Sequence, residues 1–132
     1  MTTERLATVT LVVPDYDTGI AFFVEQLGFI LVEDTDMGGG KRWVVLSPSG
    51  GGAQLLLAKA ANESQTGAIG NQSGGRVAFF LETDDFADAH ARFVAADVTF
   101  LEEPRHEPYG TVAVFSDPFG NRWDLLQRKE PA

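Results

Sequence analysis

Thiols, imidazoles and paired carboxylates carry most side-chain chemistry, and this 132-residue chain has no cysteine and two histidines, His90 and His106. With no cysteine there is no thiolate nucleophile, disulfide frame or zinc knuckle. A site needing three histidines within one chain is excluded as well. His106 lies in the segment Glu-Glu-Pro-Arg-His-Glu-Pro-Tyr-Gly, residues 102–110, which reads first as a charged, solvated loop. It precedes a strand, however, so it could close over a site mouth and bring His106 and Tyr109 to a ligand. His106 is then the best general acid or base available. His90 falls four residues after Phe86 and three before Phe93, the spacing of a histidine packed on a helix face rather than of a base or metal ligand. The glycine runs at 38–40 and 50–52 are turns, because neither follows a strand and opens a helix as a phosphate loop must. The acidic residues of 82–88 surround a helix start, where capping and the helix dipole account for them.

Such residues are positioned by elements whose order the hydrophobic pattern reveals. Val9, Leu11 and Val13 alternate with Thr8, Thr10 and Val12 before Pro14, a strand with one apolar face. Asp15 is placed to cap a helix in which Ile20, Phe23, Val24 and Leu27 form a stripe, with Gly28 to end it. Extended runs follow at 29–32, 42–46 and 54–58, the last two around a turn at 47–52. The first half is therefore strand, helix, then three strands.

The second half repeats this order. Val9-Thr-Leu-Val-Val lies over Val77-Ala-Phe-Phe-Leu at an offset of 68, and Leu31-Val-Glu over Phe100-Leu-Glu at 69. Val45-Leu-Ser matches Val114-Phe-Ser at 69, Pro48-Ser-Gly matches Pro118-Phe-Gly at 70, and Gln54-Leu-Leu matches Asp124-Leu-Leu at 70. The second helix, 84–96, buries Phe86, Ala89, Phe93 and Ala96. An offset that drifts by two residues across a whole module marks an internal duplication. The expected organisation is one domain over 1–132, with βαβββ modules at 6–58 and 76–127 and a linker at 59–75 rich in Ala, Asn, Ser, Gln and Gly. The fold class is α+β, with eight strands curved around a cleft and the helices outside.

This order, with Val-Thr-Leu-Val-Val-Pro-Asp-Tyr-Asp at 9–17, Glu-Gln-Leu-Gly-Phe at 25–29 and Asp-Pro-Phe-Gly-Asn-Arg-Trp-Asp-Leu-Leu-Gln at 117–127, resembles the vicinal oxygen chelate superfamily. That superfamily includes glyoxalase I, extradiol dioxygenases and bleomycin-resistance proteins. The resemblance spans about residues 6–127, and it fixes the fold better than the activity. It implies metal ligands at the start of the first strand and on the last strand of each module, which here are Thr8, Gln54, Arg76 and Asp124. Gln54 and Asp124 are plausible oxygen ligands, Thr8 is a poor one, and Arg76 is a permanent cation that cannot ligate another. The expectation is therefore a member without the catalytic metal and with no cofactor. If a metal is bound, Gln54 and Asp124 hold it.

Alternation along the strands assigns Thr8, Thr10, Gln54, Leu56, Arg76, Phe80, Arg122, Asp124 and Leu126 to the cleft face. Three uses stand open to Arg76: an ion pair with Asp124, an anionic ligand group, or solvent. Arg76 and Arg122 against Asp124 leave one surplus positive charge, so the ligand-binding candidates Thr8, Gln54, Arg76, Arg122, Asp124 and Tyr109 point to a small, partly apolar anion. The chain as a whole carries −9, from 10 basic and 19 acidic residues, which disfavours nucleic acid and anionic membranes as partners. Its longest apolar runs, 20–24 and 77–81, are far too short to span a bilayer. The chain reads as a complete cytoplasmic protein that pairs as a homodimer. The leading expectation is a small-molecule binder or metal-free catalyst of the bleomycin-resistance kind. A metal-dependent lyase or isomerase of the glyoxalase I type, and a structural or regulatory dimer with a filled cleft, are the alternatives.

Overall fold

Asp15 starts the first helix by accepting from the Thr18 backbone N–H at 2.8 Å and the Thr18 hydroxyl at 2.9 Å, so one side chain satisfies an otherwise orphaned donor. Helix α1, Tyr16–Ile20, follows strand β1, Thr8–Val13. Gly19 lets the helix close onto the sheet: a Cβ there would stand 2.7 Å from Leu57 Cδ1. Beyond Ile20 the helix widens to a π-helical stretch, Ala21–Gln26, in which the Leu27 N–H reaches the Phe22 carbonyl at 3.1 Å. The added residue per turn rotates Phe22 into the core, where it meets Phe23 edge-on at 5.1 Å. A regular 3.6-residue helix leaves Phe22 on the exposed flank of the Ile20 and Phe23 stripe, so this burial corrects the periodicity reading.

The computed structural model describes residues 1–130 and divides into two compact units, a first at Met1–Ile69 and a second beginning at Gly70. The first unit continues with β2 (Ile30–Gly38), β3 (Lys41–Ser47) and β4 (Gln54–Lys59). Its sheet has the order β1-β4-β3-β2, with β1 parallel to β4 and the other pairs antiparallel. Leu11, Val13, Val44, Leu46, Leu55 and Leu57 form the buried layer beneath the helix. The segment read as a linker contains a short helix, α2 at Glu63–Ala68, capped by Asn62, which accepts from the Gln65 N–H at 2.9 Å.

The second unit repeats that topology. Strand β5 (Val77–Glu82) and helix α3 (Phe86–Ala95) precede β6 (Thr99–Phe100), β7 (Arg105–Glu107), β8 (Gly110–Ser116) and β9 (Arg122–Arg128). The order is β5-β9-β8-β6, with β7 also on β8, and again only the β5–β9 pair is parallel. The fold is thus α+β, built from tandem βαβββ modules. The two differ in their helices, since only the first carries a π-helical stretch, and in their sheets, where the nine-residue β2 of the first is answered by two short strands, β6 and β7, in the second. Phe86, Ala89 and Phe93 of α3 are buried, Phe93 edge-on against Phe115 at 5.7 Å, Phe115 in turn stacks on Trp123 at 5.8 Å, and the helix is capped by Asp85. His90 stacks between the rings of Phe86 and Phe100, at 5.5 and 4.4 Å, in keeping with its reading as a packed helix residue.

Candidate functional site

Each sheet has one face packed under its helix and one open face, and strand alternation sorts the candidate residues between them. In the first unit, Leu11 and Val13 are fully buried while Thr8 and Thr10 are exposed. The parallel register sets Thr8 beside Gln54 and Thr10 beside Leu56. Trp43 lies on that open face next to Val45 and is 39% exposed. Arg42, one residue earlier, turns the other way. Its Nε and Nη2 hold both oxygens of Asp34 at 3.0 and 2.7 Å, its Nη1 reaches Asp17 at 2.8 Å, and the guanidinium lies over the buried Tyr16 ring. The bidentate pair draws the Asp34 carboxyl below its ordinary pKa. Arg42 is therefore a clasp between α1 and the β2–β3 hairpin, on the face opposite Trp43.

In the second unit the register sets Phe80 beside Asp124 and Val114 on the other side of it. Phe80 is 64% exposed, whereas its neighbour Phe79 stacks on Trp123 in the buried layer at 4.4 Å. Leu126 continues the Asp124 face but is buried. Asp124 is half-buried. Its Oδ1 is shut off from solvent with no hydrogen-bond partner among the described residues, and burial raises its pKa above the ordinary carboxylate value. Arg105 opposes that shift and Glu102 adds to it. A carboxylate desolvated without a matching donor destabilises the fold locally, and such groups are expected at functional rather than structural positions.

Sequence reading missed Glu102 and Arg105. Glu102 Oε2 accepts from the Val114 N–H at 2.9 Å, taking the place of a strand carbonyl in the gap between β6 and β7. Its Oε1 holds Arg105 Nε at 2.8 Å, and Arg105 Nη1 holds Glu107 at 2.9 Å. Tyr109, two residues beyond Glu107, is half-exposed. The signal was present in the alternation Arg105-His106-Glu107. Read as a strand rather than a loop, it sends Arg105 and Glu107 to the Asp124 face and His106 to the other.

That alternation decides where His106 goes. It pairs in register with Thr111, whose partner Gln127 accepts from the α3 backbone at Phe86, so His106 stands on the helix side of the sheet. There its Nδ1 lies 3.3 Å from Thr111 Oγ1, and the structure does not bring it to Asp124. Arg76 precedes β5 and Arg122 opens β9. Both are exposed and make no ion pair among the described residues, so of the uses open to Arg76 the pair with Asp124 is not formed here. Thr8 and Gln54 belong to the first unit; Arg76, Tyr109, Arg122 and Asp124 belong to the second.

The match to a known family covers almost the whole of this architecture. The chain belongs to the glyoxalase/bleomycin resistance protein/dioxygenase superfamily, whose family model matches residues 5–125. It is similar to an uncharacterised protein of Shewanella frigidimarina, 49% identical over 126 residues covering 94% of this chain and 93% of the relative. Among solved structures, UcmS2 superposes with a TM-score of 0.81 at 30% identity, covering 95% of this chain and 98% of that one. TnmS3, described as an antibiotic binding protein from Streptomyces sp. CB03234, gives 0.78 at 28% identity, covering 98% and 99%.

Proposed function

We propose that this protein binds a small, partly apolar organic molecule on the open sheet faces and does so without the superfamily's catalytic metal. The observation that carries the reading is the second unit's open face, where an exposed phenyl ring, Phe80, stands in register beside the half-buried carboxylate of Asp124. An aromatic side chain left in water next to an unsatisfied polar group is what a ligand-binding surface looks like before its ligand arrives. The similarity to TnmS3, an antibiotic binding protein by its description, supports the same class. Thr8 and Gln54 are the corresponding polar pair of the first unit, and Tyr109, Arg76 and Arg122 complete the proposed set. The exposed Arg76 and Arg122 offer an anchor to an anionic ligand group.

The donor set is what argues against a metal. Of the four positions that the family resemblance implies for metal ligands, one, Arg76, is a permanent cation and one, Thr8, a hydroxyl. Among the described residues, no three His, Asp or Glu side chains converge. Elemental analysis of protein purified without chelators should find less than stoichiometric Zn, Ni, Fe or Mn. One equivalent per chain, lost in Asp124→Ala, would overturn the metal-free reading. A thermal-shift screen of small acids against their neutral amides, on wild type and Arg76→Ala, should favour the acids in wild type. Equal stabilisation by the amides removes the anionic part of the proposal.

The same reading places the protein in the cytoplasm as a homodimer. Ile30, Leu31 and Val32 lie exposed on the edge strand β2, and an apolar edge of that kind is most simply covered by a symmetric copy. Light scattering at micromolar concentration should give twice the chain mass, and a strictly monomeric mass refutes pairing.

A further inference from the structure

We propose that β9 selects a ligand with two unlike ends, an acidic group for Arg122 and a protonated amine or other hydrogen-bond donor for Asp124, with an apolar body lying over Phe80. This deepens the binding function proposed above and rests on it. Arg122 and Asp124 are two residues apart on one strand, so they point to the same face with Cα atoms roughly 6.7 Å apart. They carry opposite charges and make no ion pair with each other. Arg122 is exposed and without an ion-pair partner among the described residues, and Asp124 is half-buried, with Oδ1 shut off from solvent and Oδ2 left as the oxygen that can meet a ligand donor. A free cation and an undersatisfied carboxylate held apart along a rigid strand are complementary to a zwitterion of similar span.

The surroundings sharpen the sign at each end. The charges that act on Asp124 are Arg105 and Glu102, and Arg105 already donates to Glu102 and to Glu107. Glu102, Arg105 and Asp124 together carry one more negative than positive charge, so the Asp124 end repels an acid and favours a donor. The Arg122 end has Val77 and Ser116 as its register partners, neither of them charged. The surplus positive charge expected from sequence is thus confined to one end of the face. Phe80, in register with Asp124, supplies a surface for the body of the ligand and a site for cation–π contact with an amine.

The test uses 4-(aminomethyl)benzoate, which carries an amine and a carboxylate across one ring, beside benzylamine and benzoate. Binding is followed by amide chemical shifts of the intact chain, read at Phe80 and Val114. The expected result is a Kd for the two-ended probe at least about tenfold below either one-ended probe. That advantage should vanish in Asp124→Asn and again in Arg122→Gln, each variant retaining the wild-type spectrum elsewhere. Benzylamine or benzoate binding as tightly as the two-ended probe, or either variant leaving the preference intact, overturns the proposal while the binding function stands. If none of the three probes moves these amides but the acids and amides of the wider screen do, the proposal again falls alone. If neither set moves any open-face amide, the binding function falls with it.

Discussion

Trp123 and Asp117 are tied together inside the second unit: the indole Nε1 donates to Asp117 Oδ2 at 3.1 Å, and each residue is 3% exposed. The same carboxylate accepts from the backbone N–H groups of Phe119, Gly120 and Asn121, each at 3.0 Å, and from Asn121 Nδ2 at 2.9 Å. One side chain thus shapes the Asp-Pro-Phe-Gly-Asn turn and fixes the start of β9, the strand that presents Arg122 and Asp124. Asp117→Ala leaves several buried donors unsatisfied and should destabilise the protein by about 3 kcal/mol or more in urea unfolding. Trp123→Phe removes one of these bonds and should lose about 1–2 kcal/mol. Equal losses for the two variants would show that the carboxylate is not the centre of the turn.

Phe22 separates core burial from interface burial. Because the π turn rotates it inward to 4% exposure, Phe22→Ala should cost about 3–5 kcal/mol of stability. The loss should be the same at low and high protein concentration. A loss that appears only as a concentration-dependent shift of the unfolding midpoint would place Phe22 at a subunit contact instead.

The duplication made the fold legible, because module order, most strand faces and helix caps follow from alternation and from residues such as Asp15 and the Asp117 turn; the start of β5 departs from it, where a register irregularity between Val77 and Phe79 sets Val77 beside Arg122. Periodicity assumed 3.6 residues per turn and so could not foresee the π stretch that buries Phe22. The site was legible where a strand was recognised, as for Phe80, Arg122 and Asp124. It was not legible between β6 and β7, where prolines and dense charge read as loop. There Glu102 replaces a strand carbonyl with its own carboxylate, a substitution that no hydrophobic pattern records.

Gly70 joins the segment after α2 to the Asp117 turn by close approach. Its φ is +73°, and a Cβ would stand 2.0 Å from the Phe119 carbonyl oxygen, so both backbone strain and a backbone clash oppose any side chain. Gly70→Ala should lose about 2 kcal/mol or more, with chemical-shift changes concentrated at residues 117–121. Unchanged shifts there would mean that the turn does not depend on this approach.

Asp124 gives the pH prediction, and its sign follows from linkage. Burial raises its folded-state pKa above the ordinary value of 3.8, so between that value and the raised one the folded chain binds more protons than the unfolded chain. Stability from this group therefore falls as pH rises through that window and stays lower above it. Asp124→Asn removes the ionisable group, so the variant should be more stable than wild type at pH 7. Since the side chain is only partly buried, the gain should stay below about 1 kcal/mol after solvent screening. The gain should shrink as pH is lowered into the window and disappear near 3.8. Stability curves for both proteins across that range, measured with no ligand present, decide the matter. An Asn variant less stable than wild type at pH 7 would mean that the carboxylate has a stabilising partner and is not held in reserve for a ligand.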